Sequence, residues 1–451
     1  MAEKIKISPA RLCAYKVLSE VLIKGAFSNI ALNKQLPALV ADSDVRLVTN
    51  IVYGTIKKQV YLADCVREIS NIPYDDLQRE VKVVLMMGLY QLFFLDKVPA
   101  YAVVNDCVNI TKMFINKKTA GFINGVLRNA LRKRDDVIKS LETGDFQTQC
   151  ARKYGIRPEI LDLLLKYYTE EQLILYLQHS EKPASVCLRT NTLKTTRDAL
   201  LKRFDVHGIQ AVAGFVPESI ILQSHVRLTS LSEFKEGLFY VQDQAAMLPG
   251  HVLQPALNTK IWDMCAAPGG KSLHIAALCQ NNCHILATDV LPKKLAFIQG
   301  SVMQQGADCI ITAKLDATKR HDEYVNNFDY VLCDVPCSGL GVIGRKPEIL
   351  SRITSAYIQD LKVVQKQILL NGLNALKKGG TLVYSTCTIN PEENELLVKE
   401  VLSECPEVHH MPIHLNFVLP EVHEEMAKGY LKLGLEHENC DGFFIAKLTK
   451  M

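Results

Sequence analysis

The sequence predicts an α/β architecture: a Rossmann-like doubly wound sheet, preceded by an all-α domain and a small α+β linker domain. Three observations carry this expectation. From Lys260 onward, short apolar runs alternate with helical stretches; the runs are Ile261-Trp262, Ile285-Leu286-Ala287, Ile310-Ile311, Tyr330-Val331-Leu332 and Leu382-Val383-Tyr384. That alternation argues for parallel βαβ units. Residues 1–140 carry helical patterning throughout, and between about 185 and 250 the pattern shifts to shorter β-like pieces. The expected domains are 1–140, 141–250 and 251–451.

In chain order, Ser8-Pro9 supplies a helix start with proline at the first helical position. Ala14, Leu18, Val21 and Leu22 then share one face, and Gly25 suits the stop. Helices are expected over Asp44 to Lys58, Leu77 to Leu95, Ala102 to Phe114 and Ala120 to Arg134. The last ends in a basic cluster of Arg128, Arg132, Lys133 and Arg134. Those cations either complement the helix C-terminal dipole or contact phosphate. Residues 141–180 read as a helical connector with Ile160, Leu163, Leu164 and Tyr167 on one stripe. β-like pieces follow at Ser185 to Leu188 and Ser219 to Leu222, around a helix near Thr196 to His207.

Charge is distributed unevenly. Residues 1–140 hold 21 Lys+Arg against 13 Asp+Glu, a net of +8, whereas the remainder holds 31 against 35, a net of −4. A basic N-terminal segment is an electrostatic footprint for nucleic acid or a solvated helix surface. The longest apolar stretch, Val83 to Leu95, contains Gln91 and falls short of the roughly 20 residues a membrane span needs. No secretory signal is visible, so the 14 cysteines are expected as reduced thiols in a cytoplasm. Cys279 and Cys283 lack a second Cys/His pair at suitable spacing, and no metal site is expected.

The chemistry concentrates after the strands. Asp263-Met264-Cys265-Ala266-Ala267-Pro268-Gly269-Gly270-Lys271 follows one strand and precedes a helical run. Small residues there let a ligand approach the backbone and the helix N-terminus. The segment is neither G-x-G-x-x-G nor a phosphate-binding P-loop, so a pyrophosphate site is disfavoured. Asp289 ends the next strand, near the roughly 20-residue offset at which a carboxylate takes ribose hydroxyls. Asp316 follows the third strand, where it suits an adenine amino group. Ribose and adenine without pyrophosphate point to S-adenosylmethionine. Cys337, in Asp334-Val335-Pro336-Cys337, and Cys387, in Ser385-Thr386-Cys387, each follow a strand-like run. A thiolate adding to carbon 6 of cytosine makes carbon 5 nucleophilic enough to take a sulfonium methyl. Asp334 would hydrogen-bond ring nitrogen 3, and the second thiol would assist release.

Taken together, Cys265 to Lys271, Asp334 to Gly339 and Ser385-Thr386-Cys387 resemble the motifs of RNA cytosine-5 methyltransferases. Val104-Asn105-Asp106 and Phe122 to Asn129 are similar to a NusB-type RNA-binding domain. Leu188-Arg189-Thr190-Asn191-Thr192, Tyr240-Val241-Gln242-Asp243 and Asp441 to Ala446 resemble the same family's flanking segments. The combination resembles the RsmB (Sun/Fmu) family of bacterial 16S rRNA enzymes. That resemblance implies Cys387 as nucleophile and Cys337 as the residue promoting release. It also implies cofactor contacts from Cys265, Ala266, Ala267, Pro268, Gly269, Gly270, Lys271, Asp289, Asp316 and Asp334. Arg128, Arg132, Lys133 and Arg345 are the candidate RNA contacts. The implied cofactor is S-adenosyl-L-methionine, and the implied partner is 16S rRNA, free or in a partly assembled small subunit. A monomer without membrane contact is expected. Two departures stand out: Val335 replaces a more usual alanine, and the turn after Asp289 reads Val290-Leu291-Pro292-Lys293-Lys294. A tRNA cytosine-5 methyltransferase and a non-catalytic RNA-binding assembly factor remain the competing readings.

Overall fold

The N-terminal sequence folds as helices because each apolar stripe needs a partner, and helices supply one another's. The computed structural model describes residues 6–39, 41–182, 184–224, 226–418, 420–434 and 440–451. Its chain divides into two compact units, one of residues 1–181 with 343–354, the other of residues 182–342 with 355–451. In the first unit the helix Pro9–Leu22 buries Ala10, Ala14, Val17, Leu18 and Val21. The helix Arg79–Phe94 is apolar on most sides and sits among the others, burying Val81 and Val83 to Leu89. Inside this unit Arg11 donates to Asp106 at 2.9 Å and to Gln91 at 2.7 Å.

The helices Asp42–Lys57, Ala100–Phe114 and Lys117–Arg132 fall within a few residues of their expected spans. Lys117–Arg132 is capped by Asn116, whose side chain accepts from Thr119 N. Arg134 begins the next helix and donates to Phe93 O. Ser28–Gln35 is a helix the sequence reading does not contain, since its buried positions are only Ser28, Ala31 and Leu32. Its start is held from far along the chain: Glu348 accepts from Ser28 N at 2.8 Å and Ser28 Oγ at 2.9 Å. Four residues on, Arg352 donates to Val21 O, Gly25 O and Ala26 O, carbonyls left open where the first helix ends.

The second unit begins with a four-stranded antiparallel sheet of β1 (Val186–Thr190), β2 (Ala211–Ala213), β3 (Ser219–Leu222) and β4 (Phe239–Val241), in the order β2-β3-β1-β4. The main sheet contains β5 (Lys260–Asp263), β6 (His284–Asp289), β7 (Ile310–Lys314), β8 (Phe328–Asp334), β9 (Leu376–Thr386), β10 (Val408–His410), β11 (Tyr430–Leu433) and β12 (Phe443–Lys450). Strands β7-β6-β5-β8-β9 are parallel neighbours, and β12 adds to β9 antiparallel. Both faces are covered. Ile261 and Val383 join one apolar cluster with Leu273, Ile275 and Ile298, whereas Trp262, Leu382 and Tyr384 join the other with Ile368, Leu369 and Val398. This is the expected doubly wound sheet, with period-2 alternation deciding which face each residue serves.

Replacing Glu348 by Ala leaves Ser28 with a buried, unpaired backbone N–H. Urea denaturation is expected to show the first unit destabilised by about 1–3 kcal/mol, and an unchanged midpoint would refute this role for Glu348.

Candidate active site

Strand order creates the site. The chain runs outward from β5 through β6 to β7, then returns to place β8 and β9 on the other side of β5. The crevice at such a switch point lies beyond the carboxyl ends of the strands. Asp334 ends β8 level with Ser385 near the end of β9. From that shared level, the two following loops bring Cys337 Sγ and Cys387 Sγ to 3.3 Å. Gly341 N donates to Cys387 O, and a Cβ at Gly341 would lie 2.0 Å from Gly442 O, so only glycine allows this approach.

Behind the thiols is a buried carboxylate. Glu393 is fully buried and accepts from Ser338 N (2.8 Å), Ser338 Oγ (2.6 Å), Gln365 Nε2 (3.0 Å) and Asn390 Nδ2 (3.0 Å). The hydroxyls of Ser338 and Thr388 are 2.7 Å apart, so each thiol's neighbour belongs to the same network. The hydrogen bond to Cys387 comes first, then burial, in pushing the Cys337 thiol well above its usual range; the charges of Cys387 and Glu393 act in the same direction. Each of these effects favours the protonated form of Cys337.

In front of the thiols, Lys271 Nζ lies 2.6 Å from Asp334 Oδ2, and Ser385 Oγ donates to Asp334 Oδ1 at 2.8 Å. Burial pulls the Lys271 ammonium down, but the charges of Asp334, Cys387 and Asp263 outweigh it and hold it above its ordinary value. Lys271 also sits over the Phe443 ring at 5.3 Å.

The cofactor-loop candidate spans the end of β5 and the start of the helix Gly270–Leu278. Gly269 caps that helix at φ +104°, a left-handed conformation that costs a side-chain-bearing residue energy. Ala266 N donates to Thr288 O, and the Ala267–Pro268 peptide is cis. Support comes from the small sheet: buried Arg189 of β1 donates to Gly270 O and Gln242, and Tyr240 of β4 donates to Pro268 O. Burial lowers Arg189 to about 10, and the Tyr240 ring, 5.4 Å away, faces its guanidinium. Asp289 accepts from Leu291 N and pairs with Lys294 at 3.3 Å. Asp316 accepts from Thr318 N and Oγ1; that hydroxyl hydrogen bond leads in holding its carboxyl below the usual range.

Other candidates lie apart from these groups. Arg128 and Arg132 are exposed on the helix Lys117–Arg132, bonded to Asn124 and Asn129, and Lys133 follows it. Arg345 belongs to the 343–354 segment of the first unit, near Tyr53. Three residues of the second unit carry no role in the sequence reading: Glu393, and Arg189 and Asp263, which it names only as parts of longer motifs. Asp263 is buried; its Oδ2 accepts from Ser272 Oγ at 2.5 Å while Oδ1 has no protein partner. Its place at the head of the glycine-containing loop was the available signal. Burial first, with the charge of Asp334, pushes its carboxyl up to about 7.

Residues 250–449 match the family model described as 16S rRNA methyltransferase RsmB/F, residues 8–132 the NusB family, and residues 160–229 the ferredoxin-like domain of RsmF/B-like methyltransferases. The chain is 30% identical to the probable ribosomal RNA small subunit methyltransferase B of Bacillus subtilis, over 99% of this chain and 100% of that one. It is also 30% identical to ribosomal RNA small subunit methyltransferase B of Shewanella oneidensis, over 98% and 99% of the two chains. Among solved structures, PH0851 superposes with a TM-score of 0.86 at 23% identity, covering 99% of this chain and 100% of that chain. A methyltransferase homologue from Pyrococcus horikoshii is 31% identical, with a TM-score of 0.55, covering 66% of this chain and all of that one.

Asp263 supplies a pH test. Its folded value near 7 exceeds the roughly 3.9 of an unfolded aspartate. Between those values the folded form keeps a proton the unfolded form has lost, so the contribution to stability is full below about pH 4 and declines as pH rises toward 7. The stability of wild type relative to Asp263→Asn should fall over that window by an amount on the order of 4 kcal/mol. Parallel pH profiles for the two proteins in urea denaturation would exclude the assignment.

Proposed function

The chain belongs to the family of ribosomal RNA small subunit methyltransferases B, and we propose that it methylates carbon 5 of cytosine in 16S rRNA through a covalent adduct with Cys387. The observation that carries this reading is the 3.3 Å approach of Cys387 to Cys337 at two adjacent strand ends, beside the Lys271–Asp334 pair.

S-adenosyl-L-methionine, when bound, supplies an electrophilic sulfonium methyl group. The residues suit such a molecule: the buried Asp263 Oδ1 has no protein partner, and Gly269 and Gly270 offer backbone without side chains. Asp263, the loop from Cys265 to Lys271 and Asp334 would hold its amino-acid end, Asp289 its ribose and Asp316 its adenine.

Cys387 Sγ adds to carbon 6, and the displaced electron pair makes carbon 5 the nucleophile. Addition makes nitrogen 3 basic enough to take a proton from water, and Asp334, oriented by Lys271 and Ser385, accepts from the resulting N–H and stabilises the adduct. After methyl transfer a base, water in the opened site, takes the carbon 5 proton; the C–H electron pair re-forms the carbon 5–carbon 6 double bond, and the carbon–sulfur bond breaks with its pair returning to Cys387. Cys337, which holds its proton, donates its S–H to the departing sulfur and restores the resting pair.

The target base leaves its stack to reach the thiols, as chemistry on a base requires. The substrate is free or partly assembled small-subunit RNA, and the enzyme acts as a cytoplasmic monomer. Residues 1–140 and 141–250 serve RNA binding, with phosphate contacts from Arg128, Arg132, Lys133 and Arg345, and residues 251–451 carry the chemistry. Exposure of the first three cations supports that division.

With undermodified 16S rRNA and labelled cofactor, Cys387→Ala is expected to transfer no methyl. Cys337→Ala should accumulate a protein–RNA adduct on denaturing gels, with release slowed by about 10²–10⁴-fold. Full activity of Cys387→Ala would sink the mechanism. Replacing Arg128, Arg132 and Lys133 together by Ala should weaken RNA binding with little change in cofactor affinity. The salt dependence of RNA binding should become shallower by roughly one unit of log–log slope per lost phosphate contact; an unchanged slope removes these residues from the interface.

A further inference from the structure

Glu218, His251 and His274 converge although they come from three elements. Glu218 immediately precedes β3, His251 lies on the helix Gln244–Leu253, and His274 lies on Gly270–Leu278, the helix that starts at the cofactor loop. One donor atom from each lies within 4.8 Å of the others. His251 Nε2 is 3.0 Å from Glu218 Oε2, and His274 Nε2 is 3.7 Å from Glu218 Oε1. None of the three takes part in the chemistry above.

We propose that these residues form a zinc site, with a carboxylate oxygen and two imidazole nitrogens as ligands and a water in the remaining position. Metal–ligand bonds of about 2.0–2.2 Å in a tetrahedral site put donors roughly 3.3 Å apart. The separations of 3.0 and 3.7 Å, to the two oxygens of Glu218, lie near that spacing, and the full donor set, within 4.8 Å, needs only a small contraction to close on an ion.

An ion pair between Glu218 and His251 accounts for two of the residues and leaves the third unexplained. His274 is 1% exposed; its Nδ1 has no hydrogen-bond partner, and its Nε2 approaches Glu218 Oε1 only to 3.7 Å, too far for a regular hydrogen bond. A neutral imidazole always carries one N–H donor and one bare acceptor nitrogen. A metal ion at the convergence point engages that acceptor. Space beside the ring is kept by Gly250, where a Cβ would lie 3.0 Å from His274 Nδ1. The donor set of nitrogen and carboxylate oxygen suits zinc.

The ion would join β3 of the small sheet to two helices of the main-sheet fold, one of which presents the cofactor loop. Its role is structural: it holds that helix in register with the sheet that supports its first turn through Arg189. The sequence conceals the site because its ligands are far apart along the chain and follow no short spacing rule.

The test uses the full chain without an affinity tag. After chelator dialysis and reloading, mass spectrometry of the metal should find one zinc per chain, and zinc should raise the thermal midpoint. Glu218→Gln, His251→Gln and His274→Asn should each weaken zinc binding beyond the roughly 10–100-fold that loss of an outer-shell partner brings. Cys283→Ala should leave affinity unchanged, although Cys283 Sγ lies 3.7 Å from Cys309 Sγ and offers a rival thiol site. Should the variants fold poorly, cobalt in the wild type gives a separate reading: tetrahedral absorption without a thiolate charge-transfer band supports the assignment. Failure of the wild type to retain zinc, zinc lost only in Cys283→Ala, or a thiolate band would each overturn it.

Discussion

The position of both thiols depends on a carboxylate that touches neither. Glu393 is fully buried, and among the described residues no cation pairs with it. An ionised carboxylate removed from water needs several donors to remain tolerable. Here Ser338 supplies two, Gln365 and Asn390 one each. Those donors come from the loop after β8, the helix Ser355–Ala375 and the turn after β9. Satisfying one charge therefore orders three segments at once. A weaker acceptor would leave the loops after β8 and β9 free to part, whatever the register of the strands beneath.

The cofactor loop is held by the opposite sign of charge. Arg189 is as deeply buried as Glu393, and its guanidinium meets the Gly270 carbonyl, the Gln242 side chain and the face of Tyr240. These partners all lie in the loop or near the ends of β1 and β4. The small antiparallel sheet consequently acts as a brace for the turn after β5, the candidate cofactor loop. The turn can then remain glycine-rich, open on the ligand side and fixed behind.

The sequence revealed strands, thiols and strand-end carboxylates because each leaves a local mark: an apolar run, a following turn, a reactive side chain. It also placed most long helices of the N-terminal unit. What it hid was partnership across large separations. The helix Ser28–Gln35 has almost no apolar stripe, and its start is secured by Glu348, 320 positions away. Glu393 sits in Asn390-Pro391-Glu392-Glu393-Asn394, which reads as a solvated acidic turn. Only the register of β8 with β9 turns that glutamate inward. Arg189 lies within a segment that the sequence marks only by family resemblance, and its partner Gly270 is 81 positions away.

Chemically equivalent thiols require unequal surroundings if one is to attack and the other is to stay. Two features break the symmetry. The Ser338 side of the pair faces Glu393, whose negative charge opposes ionisation of Cys337. Lys271, held charged by Asp334, interacts with Cys387. On the proposed mechanism, the proton between two sulfurs 3.3 Å apart rests on Cys337 and the anion on Cys387. That bias follows from two charges of opposite sign, Glu393 acting on Cys337 and Lys271 on Cys387. The same bias suits departure as well as attack, because the sulfur that leaves carbon 6 returns to the position already prepared for an anion.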